Sequence, residues 1–415
     1  MAAANAAAAN AAAILMAPKS AASGPTAMGD KRTIWAQAIE ANKAAVKNSE
    51  GGNRPDGNVF FVGSRRGGKS ILLNRFLYPE KSETPKPTEG MEYTYIRKSQ
   101  VTDYERKDVA HLFEISGSDA LTAEVSSRDA LFLSMRQVTT AAVVIVVDLS
   151  KPNEAMDTLE SWLNIVRNRT EKVYERLRQR GSKLPDQLKA RARKQFVAKP
   201  EEGKAPEPHE DAASIDFTGI NVVVVATKWD MFANTDAELR RVMARTLRYL
   251  CHCAGASLLY VGNLTGNNEQ RTAQADRVLM TNFRSLLNFL IFGPSTSGPR
   301  SLYGALKLPV QLDHLQPLVI PAGSDKLSLI GRPRGGGSAA GSLEEWREVF
   351  RALFPPSGSE VAKATGFDSP AYQKQYDEHD VDELQKRKND ELRAYIEQQQ
   401  QNVERWKAAQ RVARK

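Results

Sequence analysis

Four residues in "FFVGSRRGGKSILLNRFL" (60–77) can do chemistry together: Gly63, Gly68, Lys69 and Ser70 fit the phosphate-loop spacing G-x-x-x-x-G-K-[ST] without a mismatch. Gly67 stands beside them. Glycines let successive backbone N–H groups turn inward as a nest for an anion, and the helix that follows adds the positive end of its dipole. Lys69 then reaches the outer phosphates, and the Ser70 hydroxyl becomes a ligand for Mg²⁺. The expected occupant is GTP or GDP, or ATP, with Mg²⁺. A loop that keeps the architecture and stays empty is the other expectation.

A base-reading element follows in "ATKWD". Thr227, Lys228 and Asp230 match [NT]-K-x-D, where the carboxylate accepts from guanine N1–H and N2–H₂ and the lysine lies along the ring. The parts that would turn a nucleotide over are weaker. In "FEISGSD", Glu114 replaces the Asp of D-x-x-G, Gly117 is kept, and Ser118 stands where a water-positioning Gln belongs. Either Thr88 or Thr94 could supply the threonine ligand of Mg²⁺. The last guanine-contacting element, usually S-A-K, is "VGNLT" and has no Lys. Binding parts persist while turnover parts have decayed, so no enzyme is expected beyond a vestigial or very slow NTPase. Cys251-His252-Cys253 is read as packing, because adjacent side chains on a helix diverge and no second ligand cluster is visible.

These residues need strand ends and helix starts to position them. "NVFFVG" (58–63), "AAVVIVVDLS" (141–150) and "INVVVVATKWD" (220–230) read as buried strands, with "MEYTYIRK" (91–98), "DVAHLFEIS" (108–116) and "ASLLYVG" (256–262) as three more. The link "SQVTDYERK" is so short that the second and third strands are expected to pair antiparallel. Met156, Leu159, Leu163, Val166, Thr170, Val173 and Leu177 mark one long helix; others are expected over 236–255 and 275–293. The expected fold class is α/β: a small-GTPase-like (Ras-like) phosphate-loop domain with a six-stranded, mostly parallel sheet, an N-terminal helix and a C-terminal helical extension.

The 415 residues divide accordingly: an Ala-rich disordered tail (1–29), an amphipathic helix (30–50) and the GTPase-like domain (55–293), whose basic insertion covers about 180–215. An extension packing on the domain (294–360) and a helical partner-binding tail (361–415) complete the chain. Trp35 and Trp346 are the expected anchors on another chain. Two cysteines only, Cys251 and Cys253, point to a reducing compartment. No apolar run reaches the length of a membrane span, so no membrane insertion is expected. Twelve Lys/Arg against three Asp/Glu between Arg167 and Lys199 match the whole chain's +9. Such a segment attracts acidic partners, but its scarcity of aromatics argues against nucleic acid.

"TIWAQAIE", "PKPTEGMEYTYIRK", "KDVAHLFEISG", "DLSKPNEAMDTLE", "KWDMF", "RTLRYLCHCAGASL", "PLVIPAG" and "LFPP" give the chain its specific resemblance. Over about 33–406 it resembles the dynein light intermediate chain family, in its dynein 2 (intraflagellar-transport) branch. The resemblance implies a non-catalytic subunit that binds and stabilises the dynein 2 heavy-chain tail for minus-end-directed, retrograde transport in cilia. Implied partners are that heavy chain, the other dynein 2 intermediate and light chains, intraflagellar-transport trains and, indirectly, microtubules. The implied locations are cytoplasm and cytoskeleton, ciliary axoneme and basal body. The alternative is an active small-GTPase-like switch that hydrolyses GTP; a nucleic-acid-binding NTPase ranks third.

Overall fold

The computed structural model describes residues 55–79, 85–99, 107–118, 121–122, 125, 131–196, 209–262, 270–293, 308–333, 341–356 and 379–413. The Ala-rich tail, the expected helix over 30–50 with Trp35, and "VGNLT" beyond Gly262 lie outside the described residues. In chain order the elements are β1 (Gly57–Gly63), α1 (Lys69–Leu77), β2 (Met91–Ser99), β3 (Lys107–Ile115), β4 (Ala141–Asp148), α2 (Pro152–Gln179) and α3 (Leu184–Gln195). There follow β5 (Asn221–Thr227), α4 (Trp229–Phe232), α5 (Ala237–Cys253), β6 (Ser257–Tyr260), α6 (Gln270–Phe292), β7 (Val319–Ile320), α7 (Leu327–Ile330), α8 (Leu343–Leu353) and α9 (His379–Ala413).

The sheet runs β2-β3-β1-β4-β5-β6-β7. β2 is antiparallel to β3 and β7 to β6, and the remaining pairs are parallel. β1 and β4 bury every residue, as parallel strands covered on both faces must. Period-two alternation then sends each strand's side chains to two cores. Phe60, Val62, Val143, Ile145, Val222 and Val224 meet α2, α5 and α8 on one face. Val59, Phe61, Val144, Val146, Val223 and Val225 meet α1 and α6 on the other.

Six strands were expected and seven form. The extra strand comes from "PLVIPAG", where Val319 and Ile320 pair with Leu259 and Leu258 and would otherwise leave β6 at the sheet edge. A two-residue strand is too short to show any periodicity. The basic insertion takes a definite form, and one further expectation, that of Trp346, changes. Within the basic insertion, Leu184–Gln195 is a helix started by Pro185, and Phe196 after it is buried against Phe217. Trp346, read as an anchor for another chain, is 1% exposed and stacks on Tyr249, with the Arg245 guanidinium 5.8 Å from its ring centre. Ser342 caps that helix by accepting from Glu345 N–H, and the Trp346–Tyr249 stack seats α8 on α5.

Candidate functional site

The carboxyl ends of β1, β3, β4 and β5 lie side by side, and β1 sits where chain order reverses, between β3 and β4. Ligands of open α/β sheets bind outside such a point. Gly63 ends β1 at φ +122°, and a Cβ there would lie 2.0 Å from the Val146 carbonyl oxygen, so only glycine fits. Gly68, at φ +90°, turns the chain into α1. Arg66 also has positive φ (59°), a conformation that costs a non-glycine residue and occurs at ligand clamps. Gly117 closes the loop from the β3 side: a Cβ on it would meet the Gly63 carbonyl oxygen at 2.5 Å and the Arg65 nitrogen at 2.6 Å. Between these segments lies a cavity of about 520 Å³, lined by Gly67, Gly68, Lys69, Ser70, Thr88 and Glu114 among others.

Lys69 Nζ donates to the carbonyls of Ser64 (2.8 Å) and Gly63 (3.2 Å). Burial pulls its pKa down to about 8, with the Glu114 carboxylate pulling the other way. Ser70 Oγ donates to Glu114 Oε1 at 2.6 Å, and Thr88 Oγ1 lies 3.5 Å from Ser70 Oγ. Glu114 is 2% exposed. Burial raises its pKa, against the opposing effects of Ser70, Thr88 and Lys69. Its Oε2 is buried without a hydrogen-bond partner. An orphaned buried acceptor marks a place where a donor or an ion belongs. Ser70, Thr88 and Glu114 together are an all-oxygen set of the kind Mg²⁺ takes, so the residues fit that cation. Thr94, the other threonine considered, pairs with Leu112 in the β2–β3 ladder.

Thr227, Lys228 and Asp230 were expected to read a base. Thr227 Oγ1 donates to the Gly67 carbonyl at 2.6 Å, which ties the end of β5 to the loop. Lys228, at φ 59°, turns the chain into α4, and its ammonium contacts Asp148 Oδ2 at 2.5 Å and Ser150 Oγ at 3.3 Å. Asp230 follows in α4, and its Oδ1 is buried without a partner. Gly67, Gly68, Lys69 and Ser70 line the phosphate cavity, and Gly63 and Thr227 join it through their bonds to Lys69 and Gly67; Lys228 and Asp230 are not among its lining residues. Glu114 and Thr88 line the cavity as well. Only the D-x-x-G spacing pointed to the first, and only the choice between two threonines to the second.

His252 meets side chains that the sequence reading missed. His209 and Asp211, far off in the chain, bring ligating atoms to within 4.8 Å of its own. A second cluster therefore exists, contrary to expectation, while Cys251 is buried as packing and Cys253 is half-buried.

Residues 30–270 match the family model for the dynein light intermediate chain (DLIC). Cytoplasmic dynein 2 light intermediate chain 1 of Mus musculus is 32% identical over 372 residues, covering 88% of this chain and 95% of that protein. The Danio rerio protein of the same name is 34% identical, covering 84% and 87%. A solved structure of the dynein light intermediate chain's conserved domain matches at TM-score 0.41 and 17% identity, covering 77% of this chain and 100% of that one. The chain belongs to the dynein light intermediate chain family.

Proposed function

We propose that this chain is a non-catalytic light intermediate chain of cytoplasmic dynein 2, one that binds and stabilises the heavy-chain tail for retrograde intraflagellar transport in cilia. The observation that carries this is the span of the likeness. The dynein 2 subunit of Mus musculus is matched over 95% of its length. Cytoplasmic dynein 1 light intermediate chain 1 of Rattus norvegicus is matched over 48% at 26% identity. Partners on this reading are the dynein 2 heavy chain, its other intermediate and light chains, transport trains and, through the motor, microtubules. Its places are the cytoskeleton, axoneme and basal body. Among the described residues no helix is long and apolar enough to cross a membrane.

The site chemistry supports a platform over a switch. Ser118 is too short to hold an attacking water as a Gln does, and Glu114 holds the Ser70 hydroxyl. α9 offers a partner surface: Leu384, Leu392, Tyr395 and Ile396 stand 46–58% exposed along it. A narrow apolar stripe of this kind gains its stability from a neighbour. The test is recovery of the dynein 2 heavy chain with the tagged, folded chain from ciliated cells. Failure to recover it overturns the reading.

We also infer that the loop holds a guanine nucleotide, GDP or GTP, as a structural ligand. Lys69 is set for its phosphates and the unpartnered Asp230 Oδ1 for the base. Ser70, Thr88 and Glu114 would hold Mg²⁺, which neutralises phosphate charge. Mass identification of nucleotide released on denaturation tests this; release of ATP would refute the choice of base, and release of none would refute occupancy.

A further inference from the structure

His209, Asp211 and His252 converge at the end of α5. One ligating atom from each lies within 4.8 Å of the other two. Residues 209–211 close the charged insertion, His252 comes from α5, and the main chain of 325–327 leading into α7 completes the surroundings. Both imidazole side chains are 2% exposed. His209 Nε2 lies 2.9 Å from the Asp325 carbonyl oxygen, which can only accept, so this nitrogen carries the proton and Nδ1 presents a lone pair. That lone pair accepts from Asp211 N–H at 3.2 Å and stands 3.8 Å from Asp211 Oδ2. His252 Nε2 lies 2.9 Å from the same oxygen, which also accepts from Leu327 N–H at 2.9 Å.

A metal-bound imidazole ordinarily gives its second N–H to a carbonyl or carboxylate, which fixes tautomer and ring orientation. His209 already has that arrangement. Two imidazoles and a carboxylate make a donor set that zinc-class ions favour, with a fourth position open. Nearby cations are neutralised: Arg248 by both oxygens of Asp325, Lys326 by Glu210.

We propose that His209 Nδ1, the Asp211 carboxylate and His252 Nε2 bind a divalent ion of the zinc class, clipping the charged insertion to α5 and α7. Bonds of about 2.0–2.1 Å in a tetrahedron place ligand atoms roughly 3.3 Å apart, so closure asks for a contraction of at most about 1.5 Å. Without metal, His252 Nε2–H donates to Asp211. On binding, Nε2 turns its lone pair to the ion and the imidazole proton resides on Nδ1, while Asp211 N–H releases His209 Nδ1. The site is independent of the phosphate loop and of the assembly proposed above.

The test uses the full chain without a histidine tag, stripped by chelator and titrated with Co²⁺. One equivalent should bind with the visible bands of a tetrahedral nitrogen and oxygen site, and Zn²⁺ should displace it. His209→Gln keeps a donor for the Asp325 carbonyl but lacks the Nδ1 ligand. It should weaken binding at least the 10–100-fold that loss of an outer partner costs, as should Asp211→Asn. Metal-free melts of both variants show whether they fold. No stoichiometric uptake by the unmodified chain, or unchanged binding by folded variants, overturns the proposal. If neither variant folds, X-ray absorption of the zinc-loaded chain decides: two imidazoles per zinc supports the site and none refutes it.

Discussion

Lys69→Met should expose the cost of desolvating this lysine, which the proposed nucleotide would offset. Burial lowers the Lys69 pKa from 10.5 to about 8. At 1.36 kcal/mol per pKa unit, holding that ammonium in the ligand-free loop costs about 3 kcal/mol at neutral pH. The folded-state value lies below the unfolded one, so between pH 8 and 10.5 the unfolded chain binds more protons. Stability attributable to this group therefore rises with pH across that window, and the full cost is felt below pH 8. Methionine keeps the length and removes the charge. The lost hydrogen bonds to the Gly63 and Ser64 carbonyls offset part of the gain, leaving the variant about 1–2 kcal/mol more stable at pH 7. The sharper reading is the slope. Urea unfolding of both proteins from pH 7 to pH 10 should show the variant's advantage falling by about 2.5 kcal/mol. Groups that do not sense Lys69 cancel in the difference; Glu114, whose carboxylate the ammonium favours, is the neighbour that does not. With nucleotide present the sign reverses, because phosphate then adds negative charge beside the ammonium and offsets its desolvation. The variant should still recover the heavy chain if the platform reading holds. A difference that stays level across the pH range refutes the claim that this lysine is desolvated for a ligand.

Trp346→Ala should cost about 3–5 kcal/mol in thermal or urea unfolding, since it removes a buried ring from the α5–α8 seam; a loss under about 1 kcal/mol would show the seam is not the anchor of the extension. Arg248→Met leaves the buried Asp325 carboxylate without its two-pronged partner at 2.7 and 2.8 Å and should cost about 3–5 kcal/mol. Adding Asp325→Leu to it should restore most of that loss, and a double variant no better than the single would contradict the pairing argument. Thr88→Ala should weaken the Mg²⁺ dependence of nucleotide retention roughly tenfold, by about 1.5 kcal/mol, whereas Thr94→Ala leaves it unchanged. Equal effects from the two would reject the assignment of Thr88.

Short-range chemistry was legible without a structure. The phosphate-loop pattern sets its glycines, lysine and hydroxyl within one short stretch, so Gly63, Gly68, Lys69 and Ser70 match it by spacing alone. The central strands did so too, because a run such as "AAVVIVVD" can rest only between two covered faces. The specific stretches from "PKPTEGMEYTY" to "LFPP" carried the family before any coordinate did. Contacts across long separations were out of reach. Thr88 and Thr94 look alike in the chain, and only the fold sets one beside Ser70 while the other enters the β2–β3 ladder. Trp346 has the composition of an interface anchor until α5 is packed over it. His252 has no visible partner within its own helix. Its neighbours come from the end of an insertion 41 residues earlier, and bringing them there required α5, α7 and the extension to close on one another. Spacing along a chain sets what one loop or one strand can do; the meeting of segments distant in sequence depends on how apolar faces are buried, and that is settled only when the whole core assembles.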